Sequence, residues 1–279
     1  MSATVLAAIL CAALLHASWN AALKAQKDTA LAALAVAGGA ALLGAIALPF
    51  LPPVGVASWP FIAASGALHI GYYLLLAAAY RHADIGHAYP LMRGCAPVLV
   101  ALAGLAVGDV LHGAHWIAIG LVSAGGVALF VGARSHAGGG ARATGLVLLT
   151  ALVIAAYTLV DGLGVRRAGA AASYTAWMFV VSGVCTILVS WRRAGARLPA
   201  YLASRPAIAL VGGAASTASY GLALWAMTQA PVAVVAALRE TSIVFALAIA
   251  VLLLGERATR ARLCGAGLVA LGAVAVRLA

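Results

Sequence analysis

Pro60-Phe61-Ile62-Ala63-Ala64-Ser65-Gly66 returns later in the chain as Pro206-Ala207-Ile208-Ala209-Leu210-Val211-Gly212, 146 residues on. The same interval lays Arg93 on Arg239. At 147, Gly108-Asp109 meets Gly255-Glu256 and Gly120-Leu121-Val122 meets Gly267-Leu268-Val269, so a one-residue slip joins the two sets. Trp19-Asn20 over Tyr157-Thr158 is a weaker match in the same sense. Chance likeness between Ala-, Gly- and Leu-rich helices is the rival explanation, and it does not account for proline and arginine coinciding as well. An internal duplication of this length decides the architecture before any motif is considered.

The duplicated unit is a membrane unit. Of 279 residues, 65% are hydrophobic, 8% are charged and 31 are glycine. Soluble domains carry about a quarter charged residues, so a soluble globule and a disordered chain are both excluded. With roughly 20 residues per crossing, apolar windows give ten helices, at 3–24, 30–51, 60–80, 84–107, 113–133, 143–165, 173–191, 206–229, 232–254 and 262–278. The polar connection from Arg134 to Arg142 divides them five and five, which sets the repeats at residues 1–135 and 136–279. Five crossings is an odd number, so the halves insert with opposite orientation. The expected fold is all-α and integral to the membrane, with two inverted five-helix repeats around a central cavity.

The net charge of +11 does not describe a nucleic-acid binder, because the 17 Lys and Arg residues are scattered singly or in pairs between apolar runs. Twelve fall in odd-numbered loops, three (Arg166, Arg167 and Arg277) fall in even-numbered loops or a terminus, and two, Arg93 and Arg239, fall inside spans. The positive-inside rule then puts the odd loops in the cytoplasm and both termini outside. The expected location is a bacterial inner membrane. Met1 to Ile9 has no Lys or Arg, so the first apolar segment reads as a retained helix, not a cleaved leader. Cys11, Cys95, Cys185 and Cys264 lie in apolar runs without ligand spacing and read as packing residues.

A Gly-Asp or Gly-Glu step closing the fourth helix of each half, followed by a Gly-rich fifth helix, resembles the EamA-type drug/metabolite transporter superfamily. The clearest copy is Leu254-Gly255-Glu256-Arg257 before Gly265 to Val276; the first-half copy, Val107-Gly108-Asp109, uses Asp. His16-Ala17-Ser18-Trp19-Asn20 with Lys24 is similar to a pattern in one branch of these proteins. The resemblance implies a secondary transporter, often an exporter of amino acids or other small metabolites, with no bound cofactor.

Ionisable residues inside spans mark the site, since each costs about 2.5–3.5 kcal/mol on insertion scales unless it faces a bundle interior or a wet cavity. They are Arg93, Arg239, Glu240 and Asp161. Arg93 stands between Pro90 and Pro97, which predicts an interrupted fourth helix. Two readings of the arginines stay open. Their planar forks suit a carboxylate or phosphate on the substrate, or they are consumed by internal ion pairs with Glu240 or Asp161. Arg239 and Glu240 are adjacent, about 100° apart on a helix, so both do not point straight into one cavity.

Further polar faces follow helical spacing: His16, Trp19 and Asn20 on the first helix, His69 and Tyr73 on the third, Tyr157 on the sixth and Tyr220 on the eighth. Interhelical hydrogen bonding is the plainer explanation for any one of them; as a set they enclose a central cavity. An unperturbed histidine titrates nearest neutral pH, which makes His16 the candidate carrier if transport is proton-coupled. There is no phosphate-binding loop, HExxH or nucleophile elbow, so an enzyme is not expected. The leading expectation is an exporter of small metabolites carrying an anionic group, amino acids foremost. The rivals are a carrier or flippase of phosphate- or phosphonate-bearing compounds and a non-transporting membrane partner protein.

Overall fold

A computed structural model describes residues 1–79, 81–82, 85–133, 140–253, 255 and 258–278. Arg134, Leu254, Glu256 and Arg257, which carry part of the charge count and of the Gly-Glu motif, lie outside these residues. The described chain is helical: α1 (Ala3–Lys24), α2 (Thr29–Ala47), α3 (Trp59–Ala79), α4 (Ile85–Ala106), α5 (Gly113–Ala133), α6 (Ala141–Ala168), α7 (Ala171–Ala194), α8 (Arg197–Ser204), α9 (Pro206–Met227), α10 (Val232–Arg239), α11 (Ser242–Leu252) and α12 (Arg260–Leu278). Among the described residues, eight helical segments are long and apolar enough to cross a membrane, counting Val232–Leu252 as one, and Pro90–Ala106 is a shorter apolar helix. The protein is an all-α, multi-pass membrane protein.

Helix ends follow local chemistry. Ser2 and Asp28 cap α1 and α2 by accepting the N–H groups of Val5 (3.3 Å) and Leu31 (3.0 Å). Pro206 starts α9, where its missing N–H costs nothing, and Gly169 ends α6 with φ of 72°.

Two features differ from the sequence expectation. The fourth helix is unbroken through Pro90 and Pro97; the interrupted helix lies instead in the ninth span, between α10 and α11. There the backbone tightens, Glu240 N–H donating to Ala237 O and Thr241 N–H to Leu238 O, while the Thr241 hydroxyl takes the Leu238 carbonyl at 2.7 Å. These i→i+3 bonds and the competing side chain end α10 without a proline. The connection from Arg192 to Arg205 is also not loop alone, because it contains α8.

Packing relates the halves. α5 packs on α12 and α2 on α7; α1 packs on α9 as α3 packs on α6; α1 meets α10 and α11 as α6 meets α4. The correspondence reaches single atoms. A Cβ on Gly125 would stand 2.7 Å from the Gly265 oxygen and 2.7 Å from Val269 Cγ2; one on Gly272 would stand 2.8 Å from the Ala118 oxygen and 2.7 Å from Val122 Cγ2. All three correspondences are 147 residues. On the α2–α7 contact, a Cβ on Gly44 would stand 2.8 Å from the Ala176 oxygen and one on Gly183 2.7 Å from the Ala37 oxygen, at an interval of 139. Gly108 and Gly255, again 147 apart, both take positive φ, 89° and 66°, the backbone state that glycine adopts without steric cost.

The two ends of the bundle are tied differently. At one, the Gly55 N–H reaches Ala168 O (2.9 Å) and the Ser173 hydroxyl reaches Pro52 O (2.6 Å). At the other, Arg197 pairs with Asp28, and Tyr201 with Gln26. The C-terminus of α6 lies at the first end and that of α1 at the second, so the leading helices of the two halves run in opposite directions.

Candidate substrate site

A cavity of about 20 Å³ lies between α4, α6 and α10, and Arg93, Pro97, Tyr157, Thr158, Arg239 and Glu240 are among its walls. That volume is about one water molecule, too small to hold a metabolite in this conformation.

Its floor is an ion pair. Arg93 donates from Nε to Glu240 Oε2 at 3.0 Å, and its Nη2 stands 3.0 Å from Oε1. This two-point fork is the strong geometry for a guanidinium and a carboxylate. Both residues are buried, at 9% and 4% exposure, and the Glu240 side chain projects from the step between α10 and α11. Arg93 and Glu240 are 147 residues apart, the interval that fits Gly108 and Gly120, just past α4 and on α5, whereas the interval of 146 that fits α3 sets Arg93 opposite Arg239.

Arg239 is placed otherwise. Its guanidinium lies over the Tyr220 ring, 4.8 Å from the centroid, and among the described residues no carboxylate is within ion-pair distance of it. The Tyr220 hydroxyl in turn donates to Asp161 Oδ2 at 2.7 Å, while Tyr174 donates to Oδ1 at 2.9 Å. Asp161 is fully buried, with no Lys or Arg against it among the described residues. Ser65 reaches the same carboxylate from α3.

The remaining candidates form a second layer. His69 stacks on Tyr157 at 4.4 Å and bonds Ser65 O at 2.8 Å; Tyr73 packs edge-on against Tyr72, which packs against Tyr157. His16 and Trp19 form an edge-to-face pair at 5.3 Å. Asn20 spends its amide on the His16 carbonyl, 2.7 Å away on its own helix. The Trp19 indole N–H is buried without an acceptor among the described residues. The structure therefore brings Arg93, Arg239, Glu240 and Tyr157 to the cavity wall, sets His69 and Tyr220 directly behind it, places His16 within electrostatic reach of Arg93 and Arg239 without lining the cavity, and leaves Trp19, Asn20 and Tyr73 off the wall.

Sequence reasoning missed two groups. Tyr174 gave no signal, because one tyrosine in an apolar helix has no recognisable pattern. Arg166 looked like an ordinary loop charge, yet it bonds Asp109 Oδ1 (3.1 Å), Met227 O (2.8 Å) and Ala230 O (2.9 Å). Asp109 Oδ2 also takes the Val232 N–H at 2.9 Å. This clamp joins the ends of α4, α6, α9 and α10 about two turns from the cavity along α6 and α10. The Gly-Asp step was the available signal, since a carboxylate just past a positive-φ glycine is well placed to cap a neighbouring helix.

Residues 142–278 match the model of the EamA-like transporter family. No curated protein matches the chain. A protein of known crystal structure has the same fold, with a TM-score of 0.74 and 20% identity over 100% of this chain and 98% of that one. The second half of the chain, residues 142–278, is thus recognised as an EamA-like transporter unit, of a family of membrane transporters for small molecules.

Proposed function

We propose that the protein is a secondary transporter that exports small metabolites bearing an anionic group, amino acids foremost. It works in a bacterial inner membrane by alternating access between residues 1–135 and 136–279. The observation that carries the reading is Arg239, a guanidinium at the cavity wall with an aromatic ring and no carboxylate against it among the described residues. Arg93 is already satisfied by Glu240, so Arg239 receives the substrate's anion. Two guanidinium groups and one carboxylate leave the wall with a single net positive charge. A singly charged carboxylate matches that better than a doubly charged phosphate, which ranks the phosphate-bearing class second. Because the closed cavity holds about one water, loading requires the two halves to separate around it.

The test is flux from proteoliposomes loaded with labelled amino acids, organic acids and organophosphates. Amino-acid flux that Arg239→Ala abolishes and Arg239→Lys partly keeps is the expected result. No flux of any class from folded protein overturns the reading.

A further inference from the structure

Tyr220 occupies two places at once in the closed protein. Its ring face is the only group found under the Arg239 guanidinium among the described residues, and its hydroxyl donates to the buried Asp161 carboxylate. One side chain thus offers a π face to a cation and an O–H to an anion. A molecule with a carboxylate at one end and an ammonium at the other supplies stronger versions of both contacts, because ionic hydrogen bonds are worth about twice neutral ones.

The charges agree. Arg93, Arg239, Glu240 and Asp161 are the Lys, Arg, Asp and Glu side chains described in the middle of the bundle, and they sum to zero. A purely anionic cargo neutralises the single positive charge of the wall but leaves Asp161, behind it, as a buried excess charge, which costs several kcal/mol in a low-dielectric interior. A cargo of zero net charge leaves none. Glu240 is committed to Arg93 by two bonds of 3.0 Å, so it is not the group free to meet a cation. Asp161 accepts hydroxyl hydrogen bonds from α3, α7 and α9, with the His69 imidazole of α3 within electrostatic reach and no Lys or Arg against it among the described residues. It follows Tyr157 and Thr158, which line the cavity, by one turn of α6, so it faces the same way.

We propose that Asp161 is the ammonium subsite of the transporter, paired with Arg239 as the carboxylate subsite, and that Tyr220 is displaced when a zwitterion enters between them. This inference rests on the transport reading above and narrows its cargo to α-amino acids and related zwitterions. Asp161 is a specificity residue, and Tyr220 is its internal occupant in the empty protein.

The experiment compares free L-amino acids with their N-acetyl derivatives, which keep the carboxylate and lose the ammonium, as competitors of labelled amino-acid flux in proteoliposomes of the full chain. The wild type should bind the free forms more tightly by about tenfold or more. Asp161→Asn keeps the side-chain shape and one oxygen that accepts from a tyrosine, the amide N–H donating to the other tyrosine's oxygen, and it should bring the two forms to near equality. Tyr220→Phe, which frees Asp161 from one hydroxyl, should retain the preference for free amino acids and serves if Asp161→Asn does not fold. Equal binding of the two forms by the wild type overturns the ammonium subsite while leaving anion transport in place. A preference undiminished in folded Asp161→Asn overturns it as well. Failure of both forms to compete or move counts against the transport reading itself.

Discussion

Arg93 and Glu240 bind each other in a two-point ion pair and are 147 residues apart in the chain, the interval that also separates Gly108 from Gly255 and Gly125 from Gly272. Two repeat-equivalent residues that touch must lie on the axis relating the repeats. If the interval of 147 holds at this point of the two halves, the contact maps onto itself when they exchange roles, and the alternating-access proposal then predicts that the pair is kept in both open forms. Removing one partner leaves a buried, uncompensated charge, and Arg93→Ala or Glu240→Ala should each cost about 3–5 kcal/mol. Arg93→Glu combined with Glu240→Arg puts the same pair back with its ends reversed. Thermal unfolding in detergent should show the exchanged protein recovering at least half of the single-variant loss; no recovery refutes the axial placement.

The Asp109–Arg166 clamp predicts an effect on access. Arg166→Ala removes three hydrogen bonds that tie α6 to α4 and to the α9–α10 connection. With the native cysteines replaced, Val235→Cys reports on this end, since Val235 is fully buried on α10. Its labelling by a membrane-impermeant thiol reagent should rise several-fold in Arg166→Ala. Unchanged labelling would mean that the clamp does not seal the path.

Glycine packing gives a matched pair of stability predictions. A methyl on Gly39 would collide with the Ala209 carbonyl where α2 crosses α9, whereas one on Gly145 meets nothing within 4 Å. Gly39→Ala should destabilise the protein by about 1–3 kcal/mol. Gly145→Ala, in α6, should be neutral or stabilising by up to about 1 kcal/mol, because alanine is the better helix former. Chemical or thermal unfolding of the two variants side by side decides this.

Charge bias gives a prediction about sidedness. With twelve Lys and Arg in odd loops and three on the other side, a reporter active only in the cytoplasm should be silent when fused after Ala279 and active when inserted between Arg134 and Arg142. The reverse pattern would turn the whole bundle over.

The sequence showed the parts of this fold that repeat. Pro60 with Pro206, and Gly108 with Gly255, mark helix starts and stops whose chemistry is local, so they could be read without knowing any partner. The break between α10 and α11 was not legible, since Leu238-Arg239-Glu240-Thr241 contains no helix-breaking residue. It depends on the Thr241 hydroxyl taking a backbone carbonyl and on Glu240 finding Arg93 across the bundle. The prolines of α4 misled for the converse reason, the helix continuing through both. At the site, the ionisable residues were visible because charge in an apolar span is conspicuous. Their pairing was not, because deciding between Glu240 and Asp161 as the partner of Arg93 requires the relative rotation of α4, α6 and α10. Tyr220 was recognised as polar lining, but its link between Arg239 and Asp161 depends on three helices meeting.

The one-water cavity has a consequence for apparent affinity. A conformation that excludes the ligand acts as a competitor built into the protein, and the measured dissociation constant is the intrinsic one divided by the populated fraction of the receptive form. If about one molecule in a hundred is open, binding is weakened about a hundredfold without any change in a ligand contact. Substitutions far from Arg239 that loosen the closed form should therefore lower the half-saturation concentration, up to the point at which every molecule is receptive.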